Sequence, residues 1–155
     1  MLLNVVESLE LATTAGEAWR LLRDTERLAA LVPGVEGVVR VEDSAQEAYR
    51  VQVTEKVGPF KVTMNLEVTL TEVVDLSLVS ATVKGGDSRG LSRATGPIRV
   101  ELGPAPAGTS MTLKVNVEIL GKLATLVAPV IRRRVAELFK EFGRRVVVEF
   151  AAVEP

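Results

Sequence analysis

KLATLVAPVIRRRVAELFKEFGRRV, residues 122–146, is the stretch on which the fold turns. Leu123, Leu126, Val127, Val130, Ile131, Val135, Leu138, Phe139 and Phe142 recur in it at helical spacing. At 1.5 Å per residue it makes a helix about 36 Å long, close to the ~33 Å span of a ten-residue strand. Such a helix reaches across a whole sheet. Nearly everything between it and a first helix near the N-terminus reads as strand, so one long helix is expected to grip a curved antiparallel sheet. That arrangement leaves a space between the two, and what fills it is the functional question.

Working outward, the clearest strand has Phe60, Val62, Met64, Leu66, Val68 and Leu70 alternating with Lys61, Thr63, Asn65, Glu67, Thr69 and Thr71. That is a half-buried antiparallel strand with one wet face. Met111, Leu113, Val115, Val117 and Ile119 alternate in the same way with Thr112, Lys114, Asn116 and Glu118. Further strands are expected over residues 3–11, 35–42, 49–57, 76–84 and 91–102, the last bent or bulged at Gly96-Pro97. Gly103-Pro104-Ala105-Pro106-Ala107-Gly108 reads as a rigid hairpin loop. Thr13 or Thr14 offers a cap for a helix over 15–23, with Glu17 three residues after Thr14 as in a capping box, and a second short helix over 26–31 stops before Pro33-Gly34. The expected fold is therefore α+β: about seven antiparallel strands, two short helices after the first, and a long C-terminal helix. It forms one domain over residues 1–155, with 142–155 as the helix end and a short apolar tail.

Composition narrows the chemistry. Nineteen basic side chains nearly balance twenty acidic ones, and a net charge of −1 offers nucleic acid no long-range field. With no cysteine and no histidine, the chain lacks thiolate chemistry, the commonest general base and the commonest metal ligand. No catalytic residue, metal ligand or cofactor is predicted. Leu126–Ile131, the longest apolar stretch, is far short of the ~20 residues that cross a bilayer, and no address signal opens the chain. A cytoplasmic protein is expected, with at most peripheral contact at the inner face of the membrane. No oligomeric state follows from these residues.

Element order and several local motifs resemble the START-like (SRPBCC) helix-grip superfamily of polyketide cyclases and lipid-transfer domains. Within it the chain is most similar to the G-subunit family of carbon monoxide dehydrogenase. The resemblance rests on Glu17-Ala18-Trp19, on Leu31-Val32-Pro33-Gly34-Val35-Glu36, on Lys56-Val57-Gly58-Pro59-Phe60-Lys61 and on Gly121-Lys122-Leu123-Ala124-Thr125-Leu126. It covers roughly residues 3–143. It implies a small non-catalytic accessory protein with an apolar cavity for a quinone-like or lipid-like molecule. It also implies a molybdenum hydroxylase of the carbon monoxide dehydrogenase type as partner, and a part in that enzyme's membrane attachment. Many relatives continue into a linker and an apolar anchor, whereas this sequence ends at Pro155, so constitutive anchoring is not expected.

Val51 and Val53, then Met64, Leu66 and Val68, then Met111, Leu113 and Val115 supply the apolar strand faces, and Leu126 and Val130 face them from the helix. The pattern leaves two readings open, an ordinary core or a pocket wall. A pocket gains weight because only 4% of the chain is aromatic, and because two methionines at central strand positions suit an adaptable apolar site. Such sites enclose about 300–1,000 Å³.

Glu55 falls in phase with Tyr49, Val51, Val53 and Val57, at a position where members of the G-subunit family usually carry an apolar residue. Its carboxylate is expected on the apolar side: paired, protonated or at an open rim. Stepping about 100° per residue from Val127 puts Arg134 inside the apolar stripe and Arg132 and Arg133 outside it. Arg134 either pairs with Glu55, meets a ligand's polar group, or snorkels past the helix edge. The basic face of the helix (Arg132, Arg133, Lys140, Arg144) is interleaved with Glu137 and Glu141, as on a solvated surface. The run from Val146 to Val153 is apolar enough to pack on its own domain or on a partner.

Three functions compete. The first is non-catalytic binding of a hydrophobic ligand. The second is a cyclase- or dehydratase-type enzyme using Glu55 with Tyr49 or Arg134, which requires a tuned acid and base close together. The third is an interaction domain with a filled core.

Overall fold

Strict alternation along the chain produces long antiparallel strands, and the capping residues set where the helices begin. A computed structural model describes residues 1–151. Along the chain run β1 (Leu2–Leu11), α1 (Ala15–Arg23), α2 (Thr25–Ala30), β2 (Val35–Arg40), β3 (Ala48–Val57) and β4 (Phe60–Val74). They are followed by β5 (Leu78–Asp87), β6 (Ser92–Ala105), β7 (Gly108–Gly121) and α3 (Lys122–Glu149). The seven strands form one antiparallel sheet in the order β1-β7-β6-β5-β4-β3-β2, with the long helix across it. This is the helix-grip architecture.

Thr14 caps α1 as expected, its hydroxyl accepting from the Glu17 amide at 3.2 Å. Asp24 both ends α1 and caps α2, accepting from the Arg27 amide at 3.1 Å. Several strands run longer than the sequence suggests. β5 continues through Gly85 and Gly86 to Asp87, and β6 and β7 absorb most of the expected loop, leaving Pro106-Ala107 as the turn. At Gly96-Pro97 the register with β7 is unchanged, with Thr95 opposite Glu118 before it and Ile98 opposite Val115 after it. The interruption is a bend without an inserted residue.

α3 is not one straight rod. Val127 leaves helical geometry (φ −135°, ψ 31°), and the helix resumes around Pro129. Proline fits the start of a helical segment, where no amide donor is needed. At its other end α3 continues to Glu149, so Val146, Val147 and Val148 belong to the helix and not to a tail. Val146 is fully buried while Val147 and Val148 are exposed. The rest of the expected tail, residues 152–155, lies outside the described residues.

The position of α3 over the sheet follows from its contacts. It packs chiefly on β1 and β7, with lesser contact to β3 and β6. Gly143 makes the close approach possible, because a Cβ there would sit 2.7 Å from Leu9 Cδ2. The main core gathers Leu11, Leu21, Leu22, Met111, Leu113, Phe142 and Val146, and a smaller cluster joins Leu3, Leu123 and Ile131.

Candidate ligand-binding site

Residues opposite one another in a ladder point to the same side of the sheet. Val53 faces Met64 and Val51 faces Leu66. Leu66 faces Gly85, Gly85 faces Ala94, and Ile98 faces Val115. The strand residues picked out by alternation therefore share the inner face, under α3. They divide into two groups. Val51, Met111, Leu113 and Val115 are buried core. Val53, Met64, Leu66 and Val68 are only half-buried.

That division marks the stretch of the inner face that is least covered. β4 is hydrogen-bonded on both sides, so an inner-face side chain on it meets solvent only from the space beneath the sheet. α3 makes most of its contacts with β1 and fewer with β7, β3 and β6. Of the inner positions beside β4 on β5 and β6, Ala81, Gly85, Ala94 and Gly96 are small, while Val83, opposite Val68, and Ile98 are full-sized aliphatic residues. The small residues of β5 and β6 were missed in the sequence, although Ala81 and Ala94 alternate in phase with the apolar positions.

Where α3 crosses β3 an ion pair joins them. Arg134 donates to Glu55 Oε2 from Nε at 3.1 Å and from Nη2 at 2.7 Å, and its Nη1 reaches Glu137 at 3.3 Å. Glu55 is mostly buried, at 16% side-chain exposure, whereas Arg134 keeps 40%. The hydrogen bond and charge of Glu55 push the Arg134 guanidinium still higher than its ordinary value. On its other side the carboxylate meets Gly34 of the Pro33-Gly34 turn, where φ is +84° and a Cβ would lie 2.7 Å from Oε1. Only glycine lets the carboxylate sit there. Among the alternatives open in the sequence, Glu55 is thus paired, and Arg134 is its partner.

Leu126 departs from expectation. It is 66% exposed and does not face the sheet, because the break at Val127 turns the first segment of α3 out of phase with the rest. Pro129 was the signal for that break. Val130 is half-buried and approaches the β3–β4 turn, 3.8 Å from where a Cβ on Gly58 would lie. Arg132, Arg133, Lys140 and Arg144 are exposed as expected.

Tyr49 and Glu55 do not meet. They stand six residues apart on β3, and the Tyr49 hydroxyl donates to Glu47 Oε2 at 2.8 Å. Burial and the Glu47 carboxylate raise the Tyr49 pKa. Burial also opposes the charge on Glu47, but Tyr49 and Arg23, the latter at 3.1 Å, outweigh it and hold the Glu47 carboxyl below the usual range. This network was not found in the sequence, since Glu47 lay before the strand expected over 49–57. It borders a surface depression of about 470 Å³ between α1, α2 and β3 that includes Trp19 and Arg40. Another, of about 440 Å³, lies across β2 to β5 and is lined by Val39, Arg50 and Lys84 together with the predicted Val51 and Leu66. No residue of α3 lines either depression.

Among the described residues no cluster of acidic side chains has metal-site geometry, and no helix is long and apolar enough to cross a membrane.

Residues 8–147 match the family model of the carbon monoxide dehydrogenase G-subunit, CoxG. No curated protein is significantly similar in sequence. Solved structures share the fold at low identity. A conserved protein from Geobacillus kaustophilus is 17% identical, with 97% of this chain and 95% of that one covered at a TM-score of 0.77. Ara h 8.0201 is 15% identical, with 96% and 99% covered at 0.60. The di-domain ARO/CYC StfQ of the steffimycin biosynthetic pathway is 15% identical, with 97% of this chain and 51% of StfQ covered at 0.64.

Proposed function

The chain belongs to the CoxG family, the G-subunit family of carbon monoxide dehydrogenase, and on that premise we propose that it is a non-catalytic carrier of one hydrophobic small molecule, lipid- or quinone-like. The ligand lies in a hollow between α3 and the sheet. The observation that carries this reading is the half-buried state of Met64, Leu66 and Val68, apolar inner residues of a central strand that α3 leaves uncovered. Leaving apolar surface of this kind within reach of water costs about 25 cal/mol per Å², a cost that an apolar ligand would remove.

Arg134 serves as the polar end of the site. Its guanidinium has donors pointing in fixed directions, and a quinone carbonyl or a carboxylate near the rim would share them with Glu55. Because that guanidinium cannot give up a proton at neutral pH, Arg134 orients a ligand and does no acid–base work. The carrier serves a molybdenum hydroxylase of the carbon monoxide dehydrogenase type and works in the cytoplasm or peripherally at the inner face of the membrane.

The test is a thermal-shift titration with a short-chain quinone and with a fatty acid. A ligand bound only by the folded state raises Tm with concentration. Leu66→Trp, which fills the hollow, should abolish the rise while leaving the protein folded. A Tm unmoved by every apolar ligand tried would overturn the reading.

A further inference from the structure

We infer that the depression between α1, α2 and the β2–β3 edge binds a small aromatic carboxylate, at a site separate from the space beneath α3. It measures about 470 Å³, within the range of small-molecule sites. Trp19, Arg20, Arg23, Arg40 and Tyr49 line it. The chain has one tryptophan and one tyrosine, and both are here, together with three arginines. Those are the residue types in which binding energy concentrates.

The local structure explains how they converge. Trp19 and Arg23 are four residues apart on α1 and so share one face of that helix. Arg40 and Tyr49 are opposite one another in the β2–β3 ladder and so point to the same side of the sheet. The Arg23–Glu47 ion pair at 3.1 Å ties the helix face to the sheet.

Most of the polar groups are already engaged. Arg20 and Arg23 are held by Glu17 and Glu47, and the Tyr49 hydroxyl donates to Glu47. Two acids also line the depression, Asp24 and Glu26. Asp24 accepts from the Arg27 amide as the cap of α2, and Glu26 is exposed in the first turn of that helix. Arg40 is different. It is exposed, close enough for its charge to act on Glu47 and Tyr49, and has no carboxylate partner among the described residues. The buried Nη1 of Arg23 also lacks an acceptor.

An unpaired guanidinium and a half-buried indole thus share one depression. A carboxylate matches the planar fork of Arg40 through two parallel hydrogen bonds, and an attached ring can lie against the indole. A purely apolar molecule would leave Arg40 without a partner, and a simple inorganic anion would leave the indole in water. Met64, Leu66 and Val68 do not line this depression, so the inference is independent of the carrier reading.

The test uses Trp19, whose emission reports from this site because the chain has no other tryptophan. The full chain is titrated with benzoate, with acetate as the charge alone and benzyl alcohol as the ring alone. Benzoate should change the emission saturably, with a Kd of about 1 mM or tighter. Acetate and benzyl alcohol should each bind about tenfold more weakly or worse. Arg40→Gln should weaken benzoate binding about tenfold or more, and Arg40→Lys, which keeps the charge without the fork, should recover part of the loss. Both variants should melt with the parent, since Arg40 is exposed and unpaired. Arg50→Gln, one residue on from Tyr49 and so on the other side of the sheet, should leave binding unchanged. No saturable change, binding of acetate or benzyl alcohol equal to that of benzoate, or indifference to Arg40→Gln would overturn the inference. So would tighter binding of a tetraglutamate peptide, which would make the depression a dock for acidic polypeptide.

Discussion

Arg134 on α3 and Glu55 on β3 are joined by two hydrogen bonds to one carboxylate oxygen, at 3.1 and 2.7 Å, and the pair ties the helix to the sheet. Removing Arg134 alone strands a mostly buried carboxylate. Arg134→Met should therefore destabilise the fold by about 1–3 kcal/mol. Replacing both partners with apolar residues, Glu55→Leu with Arg134→Met, should recover most of that loss. Urea unfolding of the two single variants and the double variant measures the coupling. Strict additivity would mean that the pair contributes nothing.

The two groups of inner-face residues should respond differently to added bulk. Leu113 is 7% exposed and lies in the packed core, so Leu113→Phe should cost about 1–3 kcal/mol. Leu66 faces the hollow, and Leu66→Phe should cost less than about 1 kcal/mol. Denaturation midpoints compare them directly. Equal penalties would mean that the space under the sheet is filled.

Stability should form a plateau in pH with Glu47 contributing to one limb and Tyr49 to the other. The folded pKa of Glu47 is lowered from 4.5, so its contribution is present above that value and lost as pH falls through the depressed one. The folded pKa of Tyr49 is raised from 10.0, so its contribution is complete below that value and lost as pH rises through the elevated one. Glu47→Gln should make the acid limb shallower and Tyr49→Phe the alkaline limb, in Tm measured against pH. Glu141, held at about 2 chiefly by its hydrogen bond to Arg144, titrates at the acid extreme of the same curve.

Much of this was readable in the residues. Alternation through β4 and β7 fixes which side chains face inward, because a one-residue slip would reverse them. The phase of Glu55 put its carboxylate on the apolar side and helical stepping put Arg134 inside the apolar stripe, with their pairing one of several readings left open. Leu126 was not readable by the same method, since stepping evenly along α3 assumes an unbroken helix and Val127 breaks it. Nor does pattern separate Leu66 from Leu113. Both are apolar inner-face residues, and only the seating of α3 on β1 and β7, through Gly143 against Leu9, decides which is covered. The Arg23–Glu47–Tyr49 network was equally out of reach, because it joins α1 to β3 across 24 residues of chain.

The most direct measurement is native mass spectrometry of the protein purified from its own host, followed by organic extraction and identification of whatever is bound. A single stoichiometric quinone, fatty acid or isoprenoid, absent from Leu66→Trp prepared in the same way, is the predicted result. A clean ligand-free mass, together with no thermal shift across a panel of apolar compounds, would contradict the carrier account.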